Sequence, residues 1–316
     1  MNLRYVRARA RRALPLALLA PVLPPKRLPE RPVFVVGCPR SGTTVAFDLL
    51  RRSDGLASIG QEGHALWETF HGPWDHGWRS NALGPGDVRR FERRYLAWAI
   101  GTLARPKMGP GHRFLDKTPR NALRLGYLDA VFPDASYVLV HRDGRAIVSS
   151  LLVAWRTRPN AAYRLPRPIV VDGRPLRDWH FVLPPGWSGL DGGRLEDVCA
   201  HQYVTCLDAL LSFRDDLRAR DPSRIVELRY EDVLLDPPGE LERVHQALDL
   251  PFTARDAARA RDGVRPAAGE EKWRTVTPGE IEHVMPRIAP TLERTGYGRR
   301  PTGDKPRPTD DGVGPH

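Results

Sequence analysis

The stretch Val33–Thr44 reads VFVVGCPRSGTT. Its four leading apolar residues predict a strand buried on both faces. Gly37 and Gly42 follow, five positions apart. That is the spacing of the loop that cradles nucleotide phosphates. An NTPase would then carry Lys and Ser or Thr. Here those positions are Thr43 and Thr44, and the positive charge stands earlier, at Arg40. The backbone N–H groups of residues 39–44 and the start of the following helix predict an anion nest. Arg40 adds a planar, permanently charged fork, and the threonines add hydroxyl donors. Without the lysine, and with no evident second acidic strand motif for magnesium, a triphosphate fits poorly. A shorter anionic chain fits better. The competing reading is a tight strand-to-helix turn that holds no ligand.

Outward from this loop the chain alternates strands and helices. TTVAFDLLRRS predicts a helix, and DVRRFERRYLAWAIGTL another, with Val88, Phe91, Tyr95 and Trp98 on one face. RFLDK is a strand, and TPRNALRLGYLDAVFP a helix stopped by Pro133. SYVLVHR and RIVELRY are further strands; DGRAIVSSLLVAW, RLEDVCAHQYVTCLDALLSFRDDL and PGELERVHQALDL are helices. PGEIEHVMPRIAPTLERTGY closes the fold, with kinks expected at Pro286 and Pro290. The alternation predicts an α/β fold: three layers, α/β/α, around a central, mostly parallel sheet. In such sheets ligands bind beyond the carboxyl ends of the strands. Residues 156–194, rich in Pro, Gly, Arg and Trp, break the alternation and read as an irregular substrate-side insertion. Trp155, Trp179 and Trp187 there offer stacking surfaces for a sugar or aromatic ring.

The formal net charge of the 316 residues is +11. Residues 1–31 carry +7 of it and residues 298–316 carry +1, which leaves +3 for the body. So small an excess argues against a broad nucleic-acid-binding face. The arm, residues 1–31, begins as a basic segment with an apolar run, as a secretion signal does. Pro15 and Pro21 interrupt the run, and no small-x-small cleavage site follows. The arm is read as leading into the first strand through its leucines, with peripheral contact to an anionic membrane as the alternative. Residues 32–298 form the main domain, and 299–316 are expected to be a disordered tail. Cys38, Cys199 and Cys206 make no disulfide framework, so a reduced, cytoplasmic setting is expected.

A second strand-to-helix junction, YVLVHRDGRAIVSS, places Arg142 at a strand end and Ser150 eight residues later, about two helical turns on. An arginine and a hydroxyl facing one pocket make a second phosphate site. Arg142 as a helix-capping or ion-paired surface residue is the alternative. Two anion sites at adjacent parallel strands suit a nucleotide phosphorylated at two places.

Together, CPRSGTT and HRDGRAIVSS resemble the sulfotransferases that use 3′-phosphoadenosine-5′-phosphosulfate (PAPS). The resemblance runs over residues 32–298 and implies a P-loop-like sulfotransferase fold, with PAPS as co-substrate and no metal. It implies that Arg40, Ser41, Gly42, Thr43 and Thr44 hold the 5′-phosphosulfate, and that Arg142 and Ser150 hold the 3′-phosphate. LRYEDVLLDP resembles the family segment whose tyrosine, here Tyr230, lies near the adenine. EKWRTVTPGE resembles the late loop that closes over the nucleotide, which makes Lys272, Trp273 and Arg274 candidate contacts. FLDKTPRN resembles the family's Lys-Thr-Pro element, so Lys117 is expected to approach the sulfuryl group. A surface lysine before a Pro-started helix is the plain alternative.

The acceptor, a hydroxyl-bearing glycan, glycolipid, metabolite or tyrosine, must lose a proton. Glu62, in IGQEGHALWE, occupies the place of the base glutamate of protein-tyrosine sulfotransferases. The residue before it is Gln61, and the spacing from the loop arginine is one residue longer. His64 competes, since a neutral imidazole suits base work near pH 7. His71, Trp74, His76 and Trp78 are read as substrate-pocket or loop residues, without a metal. Two rival functions stand beside the first: an ATP-dependent phosphotransferase on a P-loop scaffold, and a non-catalytic nucleotide-binding module at a membrane.

Overall fold

Val33–Val36 form strand β1, buried along its whole length. Phe34 and Val36 point into one apolar cluster, and Val33 and Val35 into another. A strand covered on both faces must have helices on both, and the computed structural model has that architecture. It describes residues 27–89, 91–104, 109, 111–264 and 272–298. The arm before residue 27 and the tail after 298, with the expectations placed on them, lie outside the described residues.

The central sheet also contains β2 (Leu56–Ala57), β3 (Arg113–Lys117), β4 (Ser136–His141) and β7 (Ile225–Arg229). Their order is β2-β3-β1-β4-β7, and every neighbouring pair is parallel. The helices are α1 (Thr43–Leu50), α2 (His64–Trp67), α3 (Glu92–Leu103), α4 (Leu125–Val131), α5 (Gly144–Thr157) and α6 (Leu195–Arg220), followed by α7 (Tyr230–Leu235), α8 (Pro237–Ala247), α9 (Ala254–Gly263), α10 (Trp273–Val276) and α11 (Pro278–Arg294). Leu49 and Leu50 of α1, Leu241 and Val244 of α8 and Ala260 of α9 cover the Val33 face. Ile100, Leu128, Leu151, Leu207 and Ile288, from α3, α4, α5, α6 and α11, cover the Phe34 face. The α/β/α reading therefore holds. Among the described residues, no helix is long and apolar enough to cross a membrane.

Several elements differ from expectation. Val88 and Phe91 precede α3, because Pro85–Asp87 form a separate 3-10 turn. The segment after β3 is two pieces, a 3-10 turn over Pro119–Leu123 and then α4.

The largest correction concerns residues 156–194, which are not irregular. Tyr163–Val171 (β5) and Arg174–Trp179 (β6) pair as an antiparallel hairpin. Asp172 (φ 51°) and Gly173 (φ 71°) form its turn, both left-handed, as a type I′ turn requires. The three tryptophans are core residues rather than open stacking surfaces. Trp179 is fully buried, with Trp155 edge-on at 5.3 Å and Trp187 at 5.9 Å, and its indole N–H donates to the Val182 carbonyl at 2.7 Å. Removing so large a fully packed ring costs about 3–5 kcal/mol. Trp179→Ala should therefore lower the melting temperature by roughly 10 °C. A shift of about 2 °C or less in a thermal melt would show that the hairpin is not anchored through this ring.

Candidate active site

In a parallel sheet all strands deliver their following loops to one end. Here five strands bring Arg40, Glu62, Lys117, Arg142 and Tyr230 to that end. Together with residues 158–162 and 180–181, which flank the hairpin, these loops enclose a cavity of about 390 Å³.

The first loop turns through two left-handed residues, Arg40 (φ 75°) and Gly42 (φ 98°). A Cβ on Gly42 would lie 2.2 Å from the Tyr230 ring, so only glycine lets the loop pass under that tyrosine. A Cβ on Gly37 would lie 2.5 Å from Ser41 Oγ and 2.8 Å from the Val140 carbonyl. Ser41 is fully buried, and its N–H donates to the Cys38 carbonyl at 3.0 Å. The N–H groups of Gly42, Thr43 and Thr44 have no acceptor among the described residues. They are the orphan donors of a helix start, and the cradle they line fits an anion.

Around the cradle, Arg40 Nε donates to Ser150 Oγ at 3.0 Å. Arg142 Nη1 donates to the Arg40 carbonyl at 3.2 Å, and its guanidinium lies 4.5 Å from the centre of the Tyr230 ring. Burial, with Arg158 and Arg142 close by, pulls the Arg40 pKa below its ordinary value. Several guanidinium groups thus crowd one cavity.

At the neighbouring strand ends, Lys117 Nζ reaches Glu62 Oε1 at 2.5 Å and Thr44 Oγ1 at 3.2 Å. His64 Nε2 is 2.9 Å from Glu62 Oε2. Burial would raise the Glu62 carboxyl, but hydrogen bonds from His64 and Lys117 outweigh it and bring it down to about 2. Burial pulls His64 below its ordinary pKa despite the Glu62 bond, so the imidazole is neutral at pH 7. Neutral His64 then donates through Nε2–H, which leaves its lone pair on Nδ1. That atom is buried, with no partner among the described residues.

The turn that carries Glu62 is pinned from below. Gly63 N–H donates to Thr118 Oγ1 at 2.8 Å, and Thr118 donates to Asp116 Oδ1 at 3.1 Å. Trp67 Nε1 and Asn121 Nδ2 reach the other Asp116 oxygen at 3.2 and 3.1 Å. Complete burial pushes the Asp116 carboxyl up to about 7, against the pull of the Trp67 and Thr118 bonds. A second buried carboxylate, Glu68, takes Arg120 at 2.7 Å, Arg124 at 3.2 Å and the Tyr163 hydroxyl at 2.5 Å. It ties the start of the hairpin to the segment after β3.

Two groups of expected residues lie elsewhere. Trp273 packs against the first turn of α5, with Arg145 5.1 Å and Arg274 4.4 Å from its ring centre, and Lys272 precedes α10 on the surface. None of the three lines the cavity. Nor do His71, Trp74, His76 and Trp78, so their reading as pocket residues is corrected. His71 is instead locked in the interior, with Nε2 2.6 Å from Glu92 and Nδ1 2.9 Å from His76. Sequence reasoning missed Arg120, Arg158, Asn160, His180 and Phe181 in the cavity wall. The Asp172-Gly173 pair was the available signal, since a hairpin there brings its two flanks together.

The chain matches the sulfotransferase family over residues 32–184 and 179–254. It is 20% identical to protein-tyrosine sulfotransferase A of Caenorhabditis elegans over 84% of this chain and 67% of that protein. It is 31% identical to the omega-hydroxy-beta-dihydromenaquinone-9 sulfotransferase Stf3 of Mycobacterium tuberculosis over 42% of this chain and only 28% of that protein. Among solved structures, sulfotransferase STF9 from Mycobacterium avium superimposes with a TM-score of 0.51 at 17% identity, over 88% of this chain and 79% of the other. That likeness shows the shared fold. The chain belongs to the sulfotransferase family of enzymes.

Proposed function

We propose that the protein transfers a sulfuryl group from PAPS to the hydroxyl of an acceptor, a glycan, glycolipid or small metabolite, by in-line displacement. The observation that carries this reading is that the lysine-free anion cradle and Glu62 line one cavity, with the buried Lys117 bonded to both Thr44 of the cradle and Glu62. PAPS supplies an activated sulfuryl group bridged to a 5′-phosphate. Arg40 and the Gly42–Thr44 amides would hold the phosphosulfate, Arg142 and Ser150 the 3′-phosphate, and Tyr230 the adenine. Lys272, Trp273 and Arg274 would close over the nucleotide from the start of α10.

The acceptor oxygen gives its proton to Glu62 and forms the new O–S bond. The S–O bond to the 5′-phosphate breaks, and 3′,5′-ADP leaves. Such a transfer needs alignment and neutralisation of charge on the leaving oxygen. Lys117 would do this, a role supported by its ammonium's contacts to Glu62 and to Thr44 of the cradle. A carboxylate at about 2 is a weak base. When Lys117 leaves Glu62 for the anionic donor, the carboxylate loses its strongest cationic partner and its basicity rises. His64, whose lone pair is buried on Nδ1, serves as the donor that orients Glu62.

Glu62→Gln should lower kcat by about 10²–10⁴-fold without weakening 3′,5′-ADP binding. Retained turnover would move the base elsewhere. At saturating PAPS, kcat/KM for the acceptor should stay level from pH 8 down to about pH 5.5 and fall only in the carboxylate range. A one-proton fall near the histidine range that persists in Asp116→Asn, which removes a carboxyl also raised to about 7, would assign the base role to His64. Arg142→Ala and Ser150→Ala should each weaken 3′,5′-ADP more than 5′-AMP, and equal weakening of both would contradict the 3′-phosphate assignment.

A further inference from the structure

Arg40, Arg120, Arg142 and Arg158 all line the cavity, and Glu62 is the one carboxylate among the described lining residues. Three of these arginines are held by the machinery already described: Arg40 on Ser150, Arg142 on Tyr230 and Arg120 on Glu68. Arg158 differs. It ends α5, with its backbone N–H on the Ala154 carbonyl, and its guanidinium lies 5.3 Å from the centre of the Phe181 ring. It makes no ion pair with a described residue. Its charge acts on Arg40, so it stands on the same cavity from the hairpin side.

Phe181 is held in an uncommon place. Its φ of 62° is left-handed, an outlier for a bulky residue. Such a conformation persists only where its surroundings over-determine it, and it clusters at ligand-binding sites. Here both flanks are fixed by one buried side chain. Gln202 Nε2 donates to the His180 carbonyl at 2.8 Å and to the Val182 carbonyl at 2.7 Å, while its Oε1 accepts from Trp155 Nε1 at 3.0 Å. Trp179 Nε1 holds the Val182 carbonyl a second time. The half-buried ring packs on the core at the cavity wall, where it carries the Arg158 fork.

Resting on the sulfuryl-transfer reading, we propose that Arg158, seated on Phe181, is the acceptor-recognition cation, and that the acceptor carries an anionic group (a carboxylate, phosphate or sulfate) beside the hydroxyl-bearing part. The donor's phosphates are provided for at the β1 and β4 ends. Arg158 stands at the opposite end of α5 from Arg142, about 20 Å along the helix. Arg158 is exposed to solvent at the cavity wall, and a guanidinium seated on a ring and without a carboxylate can take an anion there, since its planar fork offers two parallel hydrogen bonds. Asn160 adds an amide to the same wall.

The test uses the full chain saturated with 3′,5′-ADP and two matched probe pairs, followed by calorimetry. One pair is 3-(4-hydroxyphenyl)propionate against its primary amide, and the other is glucuronate against glucose. At least one acid should bind about tenfold or more tightly than its neutral partner. In Arg158→Ala that preference should vanish, in Arg158→Lys it should survive in part, and 3′,5′-ADP affinity should stay unchanged in both. Three results would overturn the proposal: equal binding within both pairs, no binding of any probe, or loss of 3′,5′-ADP affinity in Arg158→Ala as large as in Arg142→Ala. If 3′,5′-ADP fails to bind the wild-type chain, the donor assignment fails instead. The same probes titrated without nucleotide then decide the role of Arg158.

Discussion

The left-handed turn at Arg40 and Gly42, wedged beneath Tyr230, is the constraint on which the site depends. A parallel strand must hand its chain to a helix within a few residues, and here the handover is tight enough that no side chain fits at Gly42. Its consequence is electrostatic. The turn leaves the first N–H groups of α1 aimed outward with nothing to bond. It also raises Arg40 onto Ser150 and sets its carbonyl against Arg142. The first and second strand-to-helix junctions are thereby locked to each other before any ligand arrives. Tyr230, from the end of β7, completes the lock as both the lid on Gly42 and the platform for Arg142.

The second element is a stored charge balance. Lys117 sits almost fully buried at the end of β3 and needs a counter-charge, which Glu62 supplies. Removing either partner alone would strand the other. In the proposed mechanism an arriving anion would change this arithmetic, because it would offer Lys117 a new partner and leave Glu62 free to take a proton. The buried Asp116–Thr118–Gly63 chain keeps the Glu62 turn in place while that exchange happens. In the proposed mechanism, donor binding and base activation are coupled through this one side chain.

Much of this was legible in the sequence, for identifiable reasons. Buried parallel strands are continuous apolar runs, and β1 and β4 read directly as such. The glycine spacing and the Arg142–Ser150 interval are local patterns, and local patterns survive folding. What failed depended on contacts distant in sequence. The hairpin was hidden because Pro166, Pro168 and Pro175 and a series of arginines obscure its alternation, although Asp172-Gly173 marked the turn. Trp155, Trp179 and Trp187 looked like free surfaces because nothing local shows that they meet one another. His71 and His76 looked like pocket residues, yet Glu92, twenty-one positions beyond His71, holds His71 in the interior. Arg158 and Phe181 gave no signal, since their pairing needs the hairpin to close first.

The proposed function requires the cradle and the Arg142 site together to accept a nucleotide phosphorylated at both ribose ends. Calorimetric titration of the full chain with 3′,5′-ADP, 5′-AMP and ATP with magnesium tests it most directly. 3′,5′-ADP should bind at least about a hundredfold more tightly than either competitor, roughly 2.7 kcal/mol of preference. Tighter binding of ATP with magnesium would contradict it and would turn the same fold toward phosphoryl chemistry.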